Sequence, residues 1–390
     1  MVINKPFRRN GPTFAFAGGG TGGHLYPAMA ISDAVRECRP DALFLFFVTE
    51  RAIDERILES CDCDVVPQTL PRFERAPWRW PGILAGLRRS SRSCRSQFHC
   101  NRIAAVVGTG GLASVPAVFS ARRAGLPTLL LNPDALVGKA NKILAPFADI
   151  VCVQWEETAR FLPRGSRVRA LGCPIRSGFS SPMRAHGIGH FGLDPGRKTL
   201  LVTGASQGAR SINQAVLANL HVLQAFSDWQ VIHLTGAQDF AIVAEAYRRT
   251  PIPCRVAAFT DRMADALVAA DLVVSRAGAS TLAEITAVGR PSILMPYPFH
   301  KDQHQLMNAR CLARASAARI VPDAVDPAMN GPALRRALEQ LMSDQEARTA
   351  MASAARQMGR PDAARRVAET ILALAADRGS LASAESLEQQ

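Results

Sequence analysis

Apolar residues along this chain fall into two registers. Short unbroken runs such as TFAFA (13–17), LFLFFV (43–48) and TLLV (199–202) alternate with longer stretches in which apolar positions recur every three or four residues. Runs of the first kind suit strands buried on both faces, and the second kind suits amphipathic helices. The spacing predicts strands near 13–18, 42–48, 103–107, 127–131 and 149–153, with helices near 23–38, 51–60, 80–98, 111–124 and 137–147. A loop rich in Arg, Gly, Ser and Pro (163–197) reads as a linker. A second series then predicts strands near 198–203, 229–234, 254–258, 271–275 and 291–295, and helices near 208–225, 237–248, 262–269, 280–288 and 302–315. Helical patterns near 330–342, 345–357 and 362–376 complete the chain.

Strict alternation of strand and helix implies α/β architecture with parallel sheets. The two halves echo one another. GGGTGGH at 18–24 is matched by TGASQGAR at 203–210, and GTGGLASVPA at 108–117 by SRAGASTLAEI at 275–285. Each is a glycine-containing turn that opens a helix after a strand. Two Rossmann-like, doubly wound domains are expected, at 1–172 and 173–361. A C-terminal helix at about 362–378 is expected to pack back on the first, and the polar 379–390 to be disordered.

Length and composition agree with this division. The 390 residues are 48% hydrophobic and 20% charged, enough for two packed cores and unlike a disordered chain. A net charge of +13 points to a polyanionic partner. The nine cysteines are odd in number and scattered, and the close pair Cys61 and Cys63 has no partners at zinc spacing, so they read as reduced thiols. No apolar run of about 18 residues and no signal-peptide core is present, so a soluble chain is expected, one that can still sit on a membrane surface.

The opening stretch FAFAGGGTGGHLYPAMA (14–30) raises the question of chemistry. Gly18, Gly20 and Gly23 fit G-x-G-x-x-G, and Glu50 follows the next strand where a ribose-binding acid stands in dinucleotide folds. Glycines let a backbone approach a phosphate, and helix N-terminal amides favour the anion. Any strand–glycine loop–helix unit has this property, so the loop alone does not say whose phosphate is held. Two domains with two such loops each suit a reaction between two phosphate-bearing substrates better than a dehydrogenase.

GGGTGGHLYPAMAI, GTGGLASVPA, LGCPIRSG, TGASQGARSINQ, AFTDRMADALVAADLVVSRAGASTLAEITAVGRPSILMPYP and HKDQHQLMNA occur in that order. Together they resemble the MurG-type glycosyltransferases of peptidoglycan synthesis (glycosyltransferase family 28), which have the GT-B fold of two Rossmann-like domains facing across a cleft. The resemblance runs from about residue 13 to about residue 320. It implies inverting transfer of N-acetylglucosamine from UDP-N-acetylglucosamine to the 4-hydroxyl of a lipid-diphosphate-linked N-acetylmuramoyl-pentapeptide, the lipid I to lipid II step. It also implies that the N-terminal domain holds the acceptor and the C-terminal domain the sugar nucleotide.

On the acceptor side this assigns the lipid diphosphate to Gly19, Gly20, Thr21 and Gly22 with Gly110 and Gly111. His24 is the best-placed base for the attacking hydroxyl, since imidazole titrates near neutrality, although it can instead orient the diphosphate. Ser206, after strand 198–203, can meet the donor diphosphate, and Ser280 or Thr281 is a natural N-cap of the helix that follows Gly278. The resemblance assigns the ribose hydroxyls to Glu284, the sugar hydroxyls to His304 and Gln305, the uracil edge to the backbone at Thr260, and the leaving diphosphate to Arg176. Thr21, Gly22, Gly23 and Asp134 join this donor set. A diphosphate held by amides, arginine and helix dipoles needs no metal to depart, so no cofactor and no essential metal is expected.

Two departures stand out. The family's G-F-G-G-Y is Gly108-Thr109-Gly110-Gly111-Leu112 here, without the tyrosine. Its His-Glu-Gln-Asn is Leu131-Asn132-Pro133-Asp134, so an amide that contacts the donor sugar becomes a carboxylate that accepts but cannot donate. These changes keep open a related UDP-sugar transferase with another lipid acceptor.

Residues 72–102 carry eight arginines and one glutamate, interleaved with Trp78, Trp80, Ile83, Leu84 and Leu87. Tryptophan and aliphatic side chains beside arginines such as Arg88 and Arg89 form the pattern of an interfacial helix on anionic lipid. A lipid-linked acceptor demands such contact. The expected partners are an anionic membrane surface, the lipid-linked acceptor, a sugar nucleotide and other cell-wall synthesis proteins, at the cytoplasmic face of the inner membrane as a peripheral protein. Only 6% of residues are aromatic and no RNA-binding or helix-turn-helix pattern occurs, so no nucleic acid is expected.

Overall fold

The apolar runs become parallel strands of two separate sheets in a computed structural model, which describes residues 11–388 except 21, 60, 71–79, 180–182, 206–207 and 300–301. Contacts divide the chain into two units, Met1–Arg176 with Asp362–Gln390, and Ser177–Pro361.

In the first unit the strands are β1 (Thr13–Ala17), β2 (Leu43–Thr49), β3 (Asp64–Gln68), β4 (Ile103–Gly108), β5 (Thr128–Asn132), β6 (Ile150–Val153) and β7 (Val168–Ala170). They form one parallel sheet in the order β3-β2-β1-β4-β5-β6-β7. The helices between them are α1 (Gly22–Cys38), α2 (Ala52–Leu58), α3 (Trp80–Cys100), α4 (Ser114–Arg123) and α5 (Lys139–Leu144). Side chains alternate across the sheet. Phe14, Phe16, Phe44 and Phe46 pack on α1, while Ala15, Ala17, Leu45 and Phe47 pack on Cys94 and Phe98 of α3 and Ala117 and Ala121 of α4. Both faces are covered, which is why these strands read as unbroken apolar runs.

In the second unit α6 (Arg184–Phe191) precedes β8 (Lys198–Thr203), β9 (Trp229–Leu234), β10 (Cys254–Ala257), β11 (Leu272–Ser275), β12 (Ser292–Leu294) and β13 (Ala318–Ile320), in the order β10-β9-β8-β11-β12-β13. The remaining helices of this unit are α7 (Arg210–Leu217), α8 (Leu220–Ala225), α9 (Phe240–Arg248), α10 (Met263–Ala269), α11 (Ala279–Val288), α12 (His304–Arg314), α13 (Pro327–Ser343) and α14 (Gln345–Met358). The last helix, α15 (Ala363–Glu388), belongs to the first unit, where Val367, Ala368 and Ile371 enter the same core as Phe14 and Phe16.

Several elements differ from the sequence pattern. Strands β3, β7 and β13 were not expected, and each lies at a sheet edge. An edge strand is half-solvated and tolerates proline, as at Pro67, so its apolar signal is weak. The expected linker 163–197 holds β7 and α6, and the units divide after Arg176 rather than at 172. The expected helix 208–225 breaks at Asn219, whose side-chain amide donates to Ala215 O (2.7 Å) and Gly331 O (2.9 Å). The expected disordered tail is helical to Glu388, in keeping with its Ala, Leu and Glu content.

Candidate active site

In both sheets the strand order reverses beside the first strand of the unit, between β1 and β4 and between β8 and β11. Connections leave in opposite directions there, which opens a crevice beyond the carboxyl ends of the two strands. The four repeated glycine turns follow these four strands. The sequence echo is therefore one crevice built twice.

In the first unit the two loops are laced together. Thr109 N donates to Ala17 O (2.8 Å), and Ser114 Oγ lies 2.7 Å from both Ala17 O and Gly110 O, which share its one hydroxyl proton. His24, on the first turn of α1, lies against the second loop, with Nδ1 2.9 Å from Thr109 O. A carbonyl only accepts, so Nδ1 carries the proton and Nε2 keeps a free lone pair. Burial pulls the His24 pKa below the ordinary imidazole value, opposed by Asp134, the Thr109 bond and Asp54. The positive end of α1 acts in the same direction as burial. His24 is thus a neutral imidazole near neutral pH, with its accepting nitrogen available.

Some expected anion donors are already engaged. Gly20 N donates to both carboxylate oxygens of Asp54 (2.8 Å each), and Gly110 N donates to Ser114 Oγ (3.0 Å). These two amides shape the loops rather than hold a diphosphate. Gly19, Gly22, Gly23 and Gly111 lie in the same loops, and the helix start at Gly22 and Gly23 is the natural anion end. Glu50, positioned by its spacing as a ribose acid, instead accepts from Thr69 Oγ1 (2.8 Å). The acid that reaches the loop is Asp54. The T-E-R-A-I-D segment after β2 was the signal for it, but only the fold shows that Asp54 turns back.

Of the residues expected at the donor, Gly22, Gly23, Asp134 and Arg176 fall in the first unit and Thr260, Glu284, His304 and Gln305 in the second. The Arg176 guanidinium stacks over Tyr26, 5.1 Å from its ring centroid, and Tyr26 lies against Gly22. Asp134 raises the pKa of His24, which places its charge beside the imidazole. Its loop is held by Asn132 Nδ2, which donates to Asp134 O (2.8 Å). Thr21 lies outside the described residues.

In the second unit Ser206 lies outside the described residues, but its loop is defined on either side. Gly208 has φ +76° and packs so closely on Thr235 that a Cβ there would meet Thr235 O at 2.2 Å. Behind it a buried polar chain fixes the wall. Asn213 Nδ2 donates to Thr235 O (2.9 Å) and Asp239 Oδ2 (2.8 Å), and Asn213 Oδ1 lies 3.0 Å from His233 Nε2. His233 is fully buried, and burial lowers its pKa to about 3, so it is a neutral donor to Asn213.

Helix α11 is capped by Gly278 without a side-chain bond, so neither Ser280 nor Thr281 is the cap. Glu284 is half-buried on the second turn of α11. His304 opens α12, with Nε2 3.8 Å from Asp302 Oδ2. Gln305 Oε1 accepts from Ala277 N (3.2 Å) and Tyr297 N (2.9 Å), tying the loops after β11 and β12 together. Thr260 Oγ1 accepts from Arg262 N (3.0 Å) in the turn beyond β10.

The basic stretch splits by face. Ile83 (7% exposed), Cys94 and Phe98 of α3 are buried, so Ile83 is a core residue and not a membrane contact. Leu84 is 53% exposed, Arg88 and Arg89 are exposed, and Leu87 is half-buried. Trp78 lies outside the described residues, and of Trp80 only its place at the start of α3 is defined. Helix α3 packs on α4, and α4 on α5. These two add exposed Phe119 and Ile143 with Arg122, Arg123 and Lys142. Among the described residues no helix is long and apolar enough to cross a membrane.

Two doubly wound units, each with paired glycine turns at its switch point, have the architecture of the GT-B fold. The fold matches MurG of Acinetobacter baumannii with a TM-score of 0.72 at 24% identity, covering 92% of this chain and 98% of that one. It matches the glycotransferase of kitacinnamycin at 0.68 and 17%, covering 93% and 99%. Family models for the glycosyltransferase family 28 N-terminal and C-terminal domains match residues 14–153 and 199–367. The UDP-N-acetylglucosamine–N-acetylmuramyl-(pentapeptide) pyrophosphoryl-undecaprenol N-acetylglucosamine transferase of Moorella thermoacetica is 35% identical over 362 residues, 91% of this chain and 97% of that one. The enzyme of the same name from Sorangium cellulosum is 38% identical over 377 residues, 93% and 88%. The chain belongs to glycosyltransferase family 28, in the MurG group of N-acetylglucosamine transferases.

Proposed function

We propose that the protein transfers N-acetylglucosamine from UDP-N-acetylglucosamine to the 4-hydroxyl of undecaprenyl-diphospho-N-acetylmuramoyl-pentapeptide, converting lipid I to lipid II. Membership of the MurG group supports the substrates. The observation that carries the chemistry is His24, a neutral imidazole between two glycine loops with Nε2 unprotonated.

The acceptor O4 attacks C1 of the donor sugar from the face opposite UDP. Its proton passes to His24 Nε2, the bond from C1 to the β-phosphate oxygen breaks, and UDP leaves with the electron pair. The charge of Asp134 beside the ring stabilises the imidazolium that forms. Glu284, His304 and Gln305 are assigned to the donor ribose and sugar. The exposed Leu84, Arg88 and Arg89, with Phe119 and Ile143, form the surface that meets anionic lipid. The reading includes no resident metal: amides, helix dipoles and arginine offset the departing charge.

The test is transfer of labelled N-acetylglucosamine into the lipid acceptor in detergent micelles with EDTA present, beside a thermal shift with UDP. Metal-independent labelling and stabilisation by UDP are expected. UDP stabilisation without transfer would favour another lipid acceptor, with Leu112 and Asp134 the first residues to revert. Stabilisation by NADH and not by UDP would reject the transferase reading.

A further inference from the structure

Asp54 is a fully buried carboxylate. It accepts from Gly20 N at 2.8 Å through both oxygens and from Thr49 N at 3.2 Å and Thr49 Oγ1 at 2.5 Å. A Cβ on Gly19 would come within 2.6 Å of it, so the loop is moulded onto this side chain. Three residues earlier, Arg51 donates from Nη1 to Gly20 O at 3.0 Å. Gly20 is therefore gripped on both sides from one short segment, by an anion at its N–H and a cation at its carbonyl. Its φ of +83° is the left-handed conformation that this grip stabilises.

The two side chains differ in what they leave over. Asp54 is consumed by its hydrogen bonds. Arg51 is exposed, it forms no ion pair among the described residues, and beyond its bond to Gly20 O its guanidinium has four further N–H groups. The expected anion donors Gly20 N and Gly110 N are occupied by protein acceptors. A dianionic diphosphate at this loop needs charge that those amides cannot give, and Arg51 is a cation held on the loop itself.

We propose that Arg51 is a direct contact of the acceptor's diphosphate and that Asp54 is the positioning residue that presents the loop and Arg51 to it. The inference rests on the acceptor assignment above. No covalent step is involved: the guanidinium forks onto phosphate oxygens while its Nη1 stays near Gly20 O.

Initial rates test it, with each substrate varied in turn, for wild type, Arg51→Ala, Arg51→Lys and Asp54→Asn. Thermal shifts with inorganic pyrophosphate provide a readout that does not need turnover. Arg51→Ala should raise the KM for the lipid acceptor about 5- to 10-fold and leave the KM for UDP-N-acetylglucosamine unchanged. Arg51→Lys should restore part of that loss. Asp54→Asn should lower kcat about 10-fold without changing the KM for the sugar nucleotide. With UDP saturating the donor diphosphate site, pyrophosphate should further stabilise wild type and not Arg51→Ala. An acceptor KM within 2-fold of wild type in Arg51→Ala overturns the proposal while leaving the transferase reading intact. No transfer by wild type, with pyrophosphate still stabilising it through Arg51, supports the anion contact and rejects only the acceptor. Equal stabilisation of wild type and Arg51→Ala by pyrophosphate overturns the contact.

Discussion

His24 shows how one residue is tuned by what surrounds it. Burial and the helix N-terminus disfavour its charge, and Asp134 and Asp54 favour it; burial prevails and the pKa falls. A base works in its neutral form. With the folded pKa below the ordinary 6.5, the midpoint of the acid limb of kcat/KM should lie below pH 6.5. Asp134→Asn removes an influence that raises the pKa, so it should move the acid limb to still lower pH. His24→Ala should cost about 100- to 10,000-fold in kcat. A pH–rate profile checks all three, and an acid limb at or above 6.5, or an active His24→Ala, would reject His24 as base. The histidine, the glycines and the family motifs were readable in the sequence. The occupation of Gly20 and Gly110 was not, because their partners Asp54 and Ser114 reach them only in the folded loops.

At the scale of the element, α3 is the case in point. Ile83, Leu84 and Leu87 all suit a lipid-facing helix on sequence grounds. Yet one helical face must pack on the sheet, and Ile83 falls on the stripe with Ser90, Cys94 and Phe98. What remains for lipid is Leu84 with the arginines. Changing Leu84 and Arg88 together to Glu should reduce sedimentation with anionic vesicles about 10-fold or more, since each basic residue near such a surface contributes about 1 kcal/mol. The Tm should hold. Ile83→Glu should instead destabilise the fold. Equal vesicle binding by wild type and the double variant would reject this face as the membrane contact.

For the whole molecule, the decisive feature is the return of the chain to its first unit. Helix α15 follows the second unit in sequence but buries Val367, Ala368 and Ile371 against the first sheet. Ile371→Ala should cost about 2–4 kcal/mol, a large share of the stability of one unit. Thermal unfolding should show the loss, while stabilisation by UDP, whose ribose and uracil contacts are proposed in the other unit, should persist. Loss of UDP stabilisation with an unchanged Tm would contradict this assignment.

The sequence by itself determined the α/β class, the internal duplication, most central strands and the family. Buried parallel strands and glycine turns leave local signals that need no partner to be read. The tertiary structure decided the rest. Strand order placed the four glycine turns at two switch points, and the edge strands β3, β7 and β13 lost their pattern to solvent. A helix from the end of the chain completed the first core. Which loop amides stay open to a ligand depended on side chains distant in sequence, such as Asp54, 34 residues from Gly20, which only folding brings into reach.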